Sequence, residues 1–388
     1  MTPSIIRNIL SIVMLMSVLS TNVIAQTKYK TKLFTYGGYE YNIYNSPEIL
    51  FDRDIDEYIN KDALILSDYF IDLGYDTKFS KKKKGKYIFE IGSKLWHRRY
   101  FQYPNVNQTK LGVSSRYERF ISRNMIVGME YGFSWNDKLG TTISGDELLR
   151  SVKYIGNTPG IYFKVDNLNN FDLKLGSTYQ IKKYYDDNSN TPLDHSNLRM
   201  RFDIEYSINK KNKIRLTANF TDRKYKYYTA SDSLGSIKSG YPLRHYQYYS
   251  IGVNYSLKMF ENFSVSPGFN YTKRDDLYNG YYSYTYLSPK LKMKYSDKRL
   301  LVYLNAAYKK YNYDVRYAYT IVENSDLLIY NYLKYDFKIQ YEILKKVDLF
   351  LNIISDNRDS NSELDYAVTR RSYSTYEVLF GVNISLFD

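Results

Sequence analysis

Over most of its length the chain alternates apolar and polar residues, in runs of about a dozen broken by short polar segments. Between 249 and 259, Tyr249, Ile251, Val253, Tyr255, Leu257 and Met259 share one face. Ser250, Gly252, Asn254, Ser256 and Lys258 take the other. A period of two marks a β-strand. Nearly every strand carries such an apolar face, and almost no helical pattern remains to cover it. A closed barrel with lipid outside and water inside satisfies both faces and leaves no unpaired edge. The pattern therefore predicts an all-β chain, a transmembrane antiparallel up-and-down β-barrel.

Breaking the alternation at turn residues yields about sixteen strands, at 31–45, 67–80, 85–101, 107–121, 125–136, 153–165, 171–184, 196–209, 213–228, 242–259, 263–275, 282–295, 299–313, 329–344, 347–357 and 373–387. The ambiguous phase around Gly37 and Gly38 leaves fourteen to eighteen open. Short polar turns alternate with longer segments, the asymmetry of periplasmic turns and extracellular loops. Pro267 and Pro289 fall mid-strand without a ladder donor and are the weakest points of this map.

The first residues follow another pattern. Arg7, an apolar run from Ile9 to Val18 and the small-residue site Val23-Ile24-Ala25 read as a signal peptide over 1–25, leaving 26–388 as the barrel domain. The chain has no cysteine, so a lipobox, a disulfide framework and a thiolate metal site are excluded. Mean hydropathy is −0.52, which would suggest a soluble protein if the periodicity were ignored. Aromatics make up 18% of residues, with 47 Tyr against 2 Trp. Such rings favour membrane interfaces. Tyr225, Tyr227 and Tyr228, Tyr246, Tyr248 and Tyr249, and Tyr281, Tyr282, Tyr284 and Tyr286 are accordingly expected in an outer-leaflet girdle, with stacking on sugar rings as the alternative.

The whole mature chain resembles Gram-negative outer-membrane β-barrels of porin type. Its last strand alternates Val378, Phe380, Val382, Ile384 and Leu386 and carries Phe387, although Asp388 stands where that class usually ends on an aromatic. The resemblance implies residence in the outer membrane, contact with lipid and lipopolysaccharide, insertion by the barrel-assembly machinery, and homotrimers as a common assembly. No subfamily motif is evident.

The formal net charge is +14. Nucleic acid is not an expected partner of an exported barrel; lipopolysaccharide or small anionic or polar solutes are. On the inferred interior face, basic residues concentrate in the middle and late strands: Lys174, Lys182, Arg199, Arg201, Arg215, Arg223, Arg274, Lys290, Lys292, Lys294, Lys309, Lys334 and Lys338. Lys290, Lys292 and Lys294 form a ladder spaced roughly 6.5–7 Å. Arg199 is expected near Arg223 across a turn at 209–213. Carboxylates lie mainly on the early strands, at Glu40, Asp72, Asp76, Glu90, Glu118 and Glu130. Asp146 and Glu147, in the loop 137–152, are candidates for a constriction facing the basic wall.

No metal, cofactor or catalysis is expected. The three histidines, His97, His195 and His245, are scattered and fall in no recognisable signature. The expected function is a porin-like channel for passive diffusion of small polar or anionic solutes. Export of an acidic polysaccharide, or a plugged structural or adhesive barrel without conductance, are the alternatives.

Overall fold

The computed structural model describes residues 26–43, 49–52, 57–60, 65–140, 150–151, 153–185, 193–318, 326–362 and 372–387. The expected signal peptide lies outside them, as do Asp146 and Glu147. Sixteen antiparallel strands close into one barrel. They are β1 (Gln26–Tyr41), β2 (Asp68–Lys83), β3 (Tyr87–Tyr100), β4 (Gln108–Phe120), β5 (Met125–Gly140), β6 (Lys153–Leu168), β7 (Phe171–Tyr185) and β8 (His195–Ser207). Then follow β9 (Asn212–Thr229), β10 (Leu243–Lys258), β11 (Phe263–Asp276), β12 (Tyr284–Ser296), β13 (Leu300–Tyr317), β14 (Leu327–Leu344), β15 (Val347–Ser360) and β16 (Tyr373–Phe387). A small hairpin pairs Ile49–Asp52 with Glu57–Asn60 outside the barrel sheet.

Each strand pairs with its sequence neighbours, and β1 closes the ring on β16, with Thr35 opposite both Val382 and Leu73. Several strands run three or four residues further than the alternation predicts, such as β5 to Gly140 and β13 to Tyr317. At these loop-side ends neither face is continuously apolar, so pairing continues after the apolar signal has stopped.

The outward face is predominantly apolar. Leu73, Met129, Ile161, Leu175, Ile251 and Phe380 are each more than half exposed, an apolar belt that a lipid environment accepts and water does not. Pro267 and Pro289 do sit mid-strand. Around each, one ladder loses two residue pairs while its register is unchanged: Asn254↔Gly268 resumes at Leu257↔Val265, and Leu287↔Lys310 at Lys290↔Ala307. In an antiparallel ladder a residue's N–H serves one neighbour only, so a proline weakens one side and spares the other.

The interior is filled beside the closing seam. Phe70, Tyr100, Phe350 and Leu379 form a buried cluster with the loop residues Ile43 and Val106. Glycines admit these rings. A Cβ on Gly38 would stand 2.7 Å from the Phe70 ring, and one on Gly74 2.3 Å from the Phe34 ring. Rings laid over glycines pin the register of β1 against β2 and β16, where the Gly37-Gly38 pair had left the phase open.

Candidate functional site

Alternation sends one side chain in two inward, and cross-strand pairing sorts those side chains into two kinds of wall. On β1 to β5 and β16 several inward charges neutralise one another, while Asp76 and Glu130 have no cation within ion-pair distance among the described residues. Arg98 on β3 is nearly buried and reaches three carboxylates on three other strands. Its Nη1 lies 2.7 Å from Glu40, its Nε 2.8 Å from Asp72 and its Nη2 2.5 Å from Glu377. Tyr100 donates to Glu40 at 2.5 Å, and Phe70 lies 3.6 Å from the guanidinium. Further along, Glu90 pairs with Lys78 at 2.9 Å and with Arg116, which also meets Glu118 at 3.5 Å. Between β2 and β6, the small residues Gly92, Ser114 and Gly132 leave a recess of about 420 Å³ beside Asp76, Glu90 and Glu130.

The wall from β7 to β14 is different. All thirteen predicted basic residues fall on the face opposite the exposed apolar row, but they are not equally free. Arg201 is held by Asp203 at 2.6 Å, Arg215 by Glu205 at 2.5 Å, and Lys334 by Asp356. These three are therefore neutralised, against the expectation of an unpaired wall. The others have no carboxylate within ion-pair distance among the described residues. Lys174 and Lys182 lie over the Tyr162 and Tyr154 rings at 4.2 and 4.3 Å, and Lys338 over Phe350 at 4.9 Å. Lys290, Lys292 and Lys294 are successive inward residues of β12, facing Gly268, Ser266 and Ser264 on β11. Small neutral neighbours leave the ladder uncompensated.

Arg199 and Arg223 are not opposed. Arg199 faces Thr221, and Arg223 faces Asn197, whose side-chain oxygen accepts from its Nε at 2.8 Å. The turn at 208–211 shifts the register by two residues from the expected one, which separates like charges that would repel when directly paired.

The tyrosine expectation also needs correction. Tyr249 points outward and is 44% exposed. Tyr225, Tyr246, Tyr248, Tyr284 and Tyr286 instead fall on the inward face, where they pack with Tyr282, Tyr311, Tyr313, Tyr330 and Tyr332. Arginines lie among these rings. Arg244 is 4.0 Å from Tyr228 and 4.3 Å from Tyr282, and Arg358 is 4.5 Å from Tyr373. Arg274 falls on the inward face that the alternation predicts, whereas Arg244 and Arg316 carry no such signal because they sit at strand ends, where alternation fades. Arg244-His-Tyr246 places an arginine two residues before a tyrosine, on one face of its strand, whereas Arg274 meets Tyr284 only across the ladder.

Two packed loops cover this region. Asp232 accepts backbone N–H from Leu234 and Ser236 at 3.0 and 2.9 Å. Desolvation opposes its charge, but those two amides, the Tyr241 hydroxyl and Lys238 outweigh it and hold the carboxyl below the usual carboxylate range. Tyr241 in turn packs against Tyr278 at 5.2 Å.

The histidines remain apart. His97 Nδ1 is 2.9 Å from the Thr109 hydroxyl, His245 Nε2 is 2.5 Å from Asp222, and His195 Nδ1 is 2.9 Å from the Leu193 carbonyl. Asp222 also accepts from Gln247 at 3.2 Å, and Gln247 accepts from the Tyr249 hydroxyl at 2.8 Å, so a hydroxyl reaches the His245 carboxylate only through an amide.

No protein family and no curated protein matches the chain. Solved structures do. OccAB1 of Acinetobacter baumannii superposes with a TM-score of 0.53 at 8% identity, covering 95% of this chain and all of that one. The copper transporter OprC gives 0.47 at 8% identity, covering 95% and 82%. A bacterial polysaccharide outer membrane secretin gives 0.43 at 11%, covering 91% and 98%. What the likeness shows is the fold: a closed, antiparallel sixteen-stranded barrel of the kind seen in OccAB1.

Proposed function

We propose that the chain is a channel for passive passage of small polar solutes, with a preference for anions. The observation that carries this reading is the uncompensated Lys290, Lys292 and Lys294 ladder, which faces Gly268, Ser266 and Ser264 on one side and Ala307, Asn305 and Tyr303 on the other. An anion about 7 Å from one lysine gains about 0.6 kcal/mol even in bulk water, close to thermal energy, and three in sequence add up. Low-dielectric walls focus that field.

On the same reading the apolar belt meets lipid and lipopolysaccharide, β16 serves the assembly machinery, and homotrimers form. The test is the reversal potential of the purified barrel in a planar bilayer under a salt gradient. The wild type should be anion-selective. Substituting all three lysines by glutamine should lower the anion-to-cation permeability ratio at least about twofold while leaving the barrel folded. An unchanged ratio would remove the ladder from the permeation path, and a silent barrel would favour a structural or adhesive role.

A further inference from the structure

The interior arginines fall into two classes. Arg98 has three carboxylate partners and no charge to spare. Arg274 on β11 and Arg316 on β13 have none among the described residues, although both are largely buried. Arg274 Nε donates to the Tyr282 carbonyl at 2.6 Å, and its terminal nitrogens meet no acceptor in the described residues. Arg316 Nε is buried without a partner. Asp276, two residues beyond Arg274, is committed elsewhere: its oxygens accept the backbone N–H of Tyr278 at 3.4 Å and of Tyr282 at 3.1 Å.

Rings hold both guanidinium groups in place. Arg274 lies 4.0 Å from Tyr284 and 5.9 Å from Tyr282. Arg316 lies 5.4 Å from Tyr281 and 5.7 Å from the same Tyr282. Aromatic faces attract a cation without neutralising it and without occupying its in-plane donors. Burying a cation this way is costly unless something completes it. Among the described residues the arrangement thus leaves both guanidinium groups charged and without a carboxylate, 5.9 and 5.7 Å from the ring of one tyrosine, Tyr282, which Arg244 also approaches at 4.3 Å.

A guanidinium fork matches a carboxylate in two parallel hydrogen bonds. Tyr282 and Tyr284 are only half-buried, so their rings also offer apolar faces beside those donors. A ligand that is part ring and part carboxylate fits both. We infer that the region between Arg274 and Arg316, around Tyr282, is a binding site for acidic sugars of the hexuronate class. This deepens the channel reading by naming a solute class, and as a route of passage it rests on that reading.

Glucuronate binding to the intact, detergent-solubilised barrel, measured by calorimetry with glucose as the neutral control, tests the site directly. Glucuronate should bind, and glucose at least about tenfold more weakly, because a charged hydrogen bond is lost. Arg274→Gln and Arg316→Gln should each weaken glucuronate binding roughly tenfold or more on the same grounds. Arg274→Lys keeps the charge among the same rings and guards against a folding defect; it should still lose affinity, since an ammonium lacks the planar fork. Equal binding of glucose, no binding of glucuronate, or wild-type affinity in the folded variants would each overturn the site. Bilayer current separates the two readings. A conducting barrel that ignores glucuronate refutes the site alone, and a silent barrel that binds it refutes the channel alone.

Discussion

Arg98 shows how much one side chain holds. It is the sole link in the described structure between Glu40 on β1, Asp72 on β2 and Glu377 on β16, three carboxylates that would otherwise face one another at the seam. Replacing it with alanine leaves buried charges without a partner, which typically costs about 3–5 kcal/mol. The expected result is a lower urea midpoint, and a lower temperature at which the barrel loses its folded mobility on a gel. A wild-type midpoint would mean that water or a neighbouring lysine replaces the guanidinium. By contrast Lys290, Lys292 and Lys294 are spared such partners, and their removal should leave stability nearly unchanged.

Among the elements, the loops decide what the strand ends can do. Gly235 sits at φ +86°, and a Cβ there would stand 2.5 Å from the Tyr281 ring. The 230–242 segment can therefore lie flat against 277–283, the segment that presents Tyr281 and Tyr282 to the arginines. Gly235→Val combines a disfavoured left-handed backbone, roughly 1–2 kcal/mol, with a collision against that ring. Limited chymotrypsin digestion of the folded barrel should then cut the 277–283 segment several times faster than in the wild type. An unchanged rate would mean that the segment is held without this contact. Prolines within strands act more gently: Pro159 on β6, like Pro267 and Pro289, interrupts one ladder and keeps the register, so they loosen the wall locally without redirecting it.

For the whole molecule, charge asymmetry across the interior matters more than net charge. The wall beside the seam is paired and partly filled by Phe70, Tyr100 and Phe350, whereas the wall from β7 to β14 retains free lysines and arginines. Selectivity arising from a field of this kind is screened by salt. The Debye length falls from about 10 Å at 0.1 M to about 3 Å at 1 M. The anion preference should therefore shrink steadily between those concentrations, read from reversal potentials at a fixed gradient ratio. Selectivity that persists at 1 M would place its origin in close contacts, such as the Arg274 and Arg316 forks, and not in the long-range field.

The alternation of side chains by itself determined the strand positions, the barrel class and the inward face of every predicted basic residue. A strand's two faces must meet lipid and water, and that constraint is written residue by residue. Turn lengths placed the loops on one side for the same local reason. Which inward charges are free was decided only by tertiary structure. Lys292 and Lys334 look alike in sequence, yet one faces Ser266 and the other Asp356, because cross-strand partners are set by register and register by turns, bulges and rings laid over glycines. The tyrosines differ for a related reason: near strand ends a ring suits an interface or an interior equally well, and only closure of the barrel chose between them.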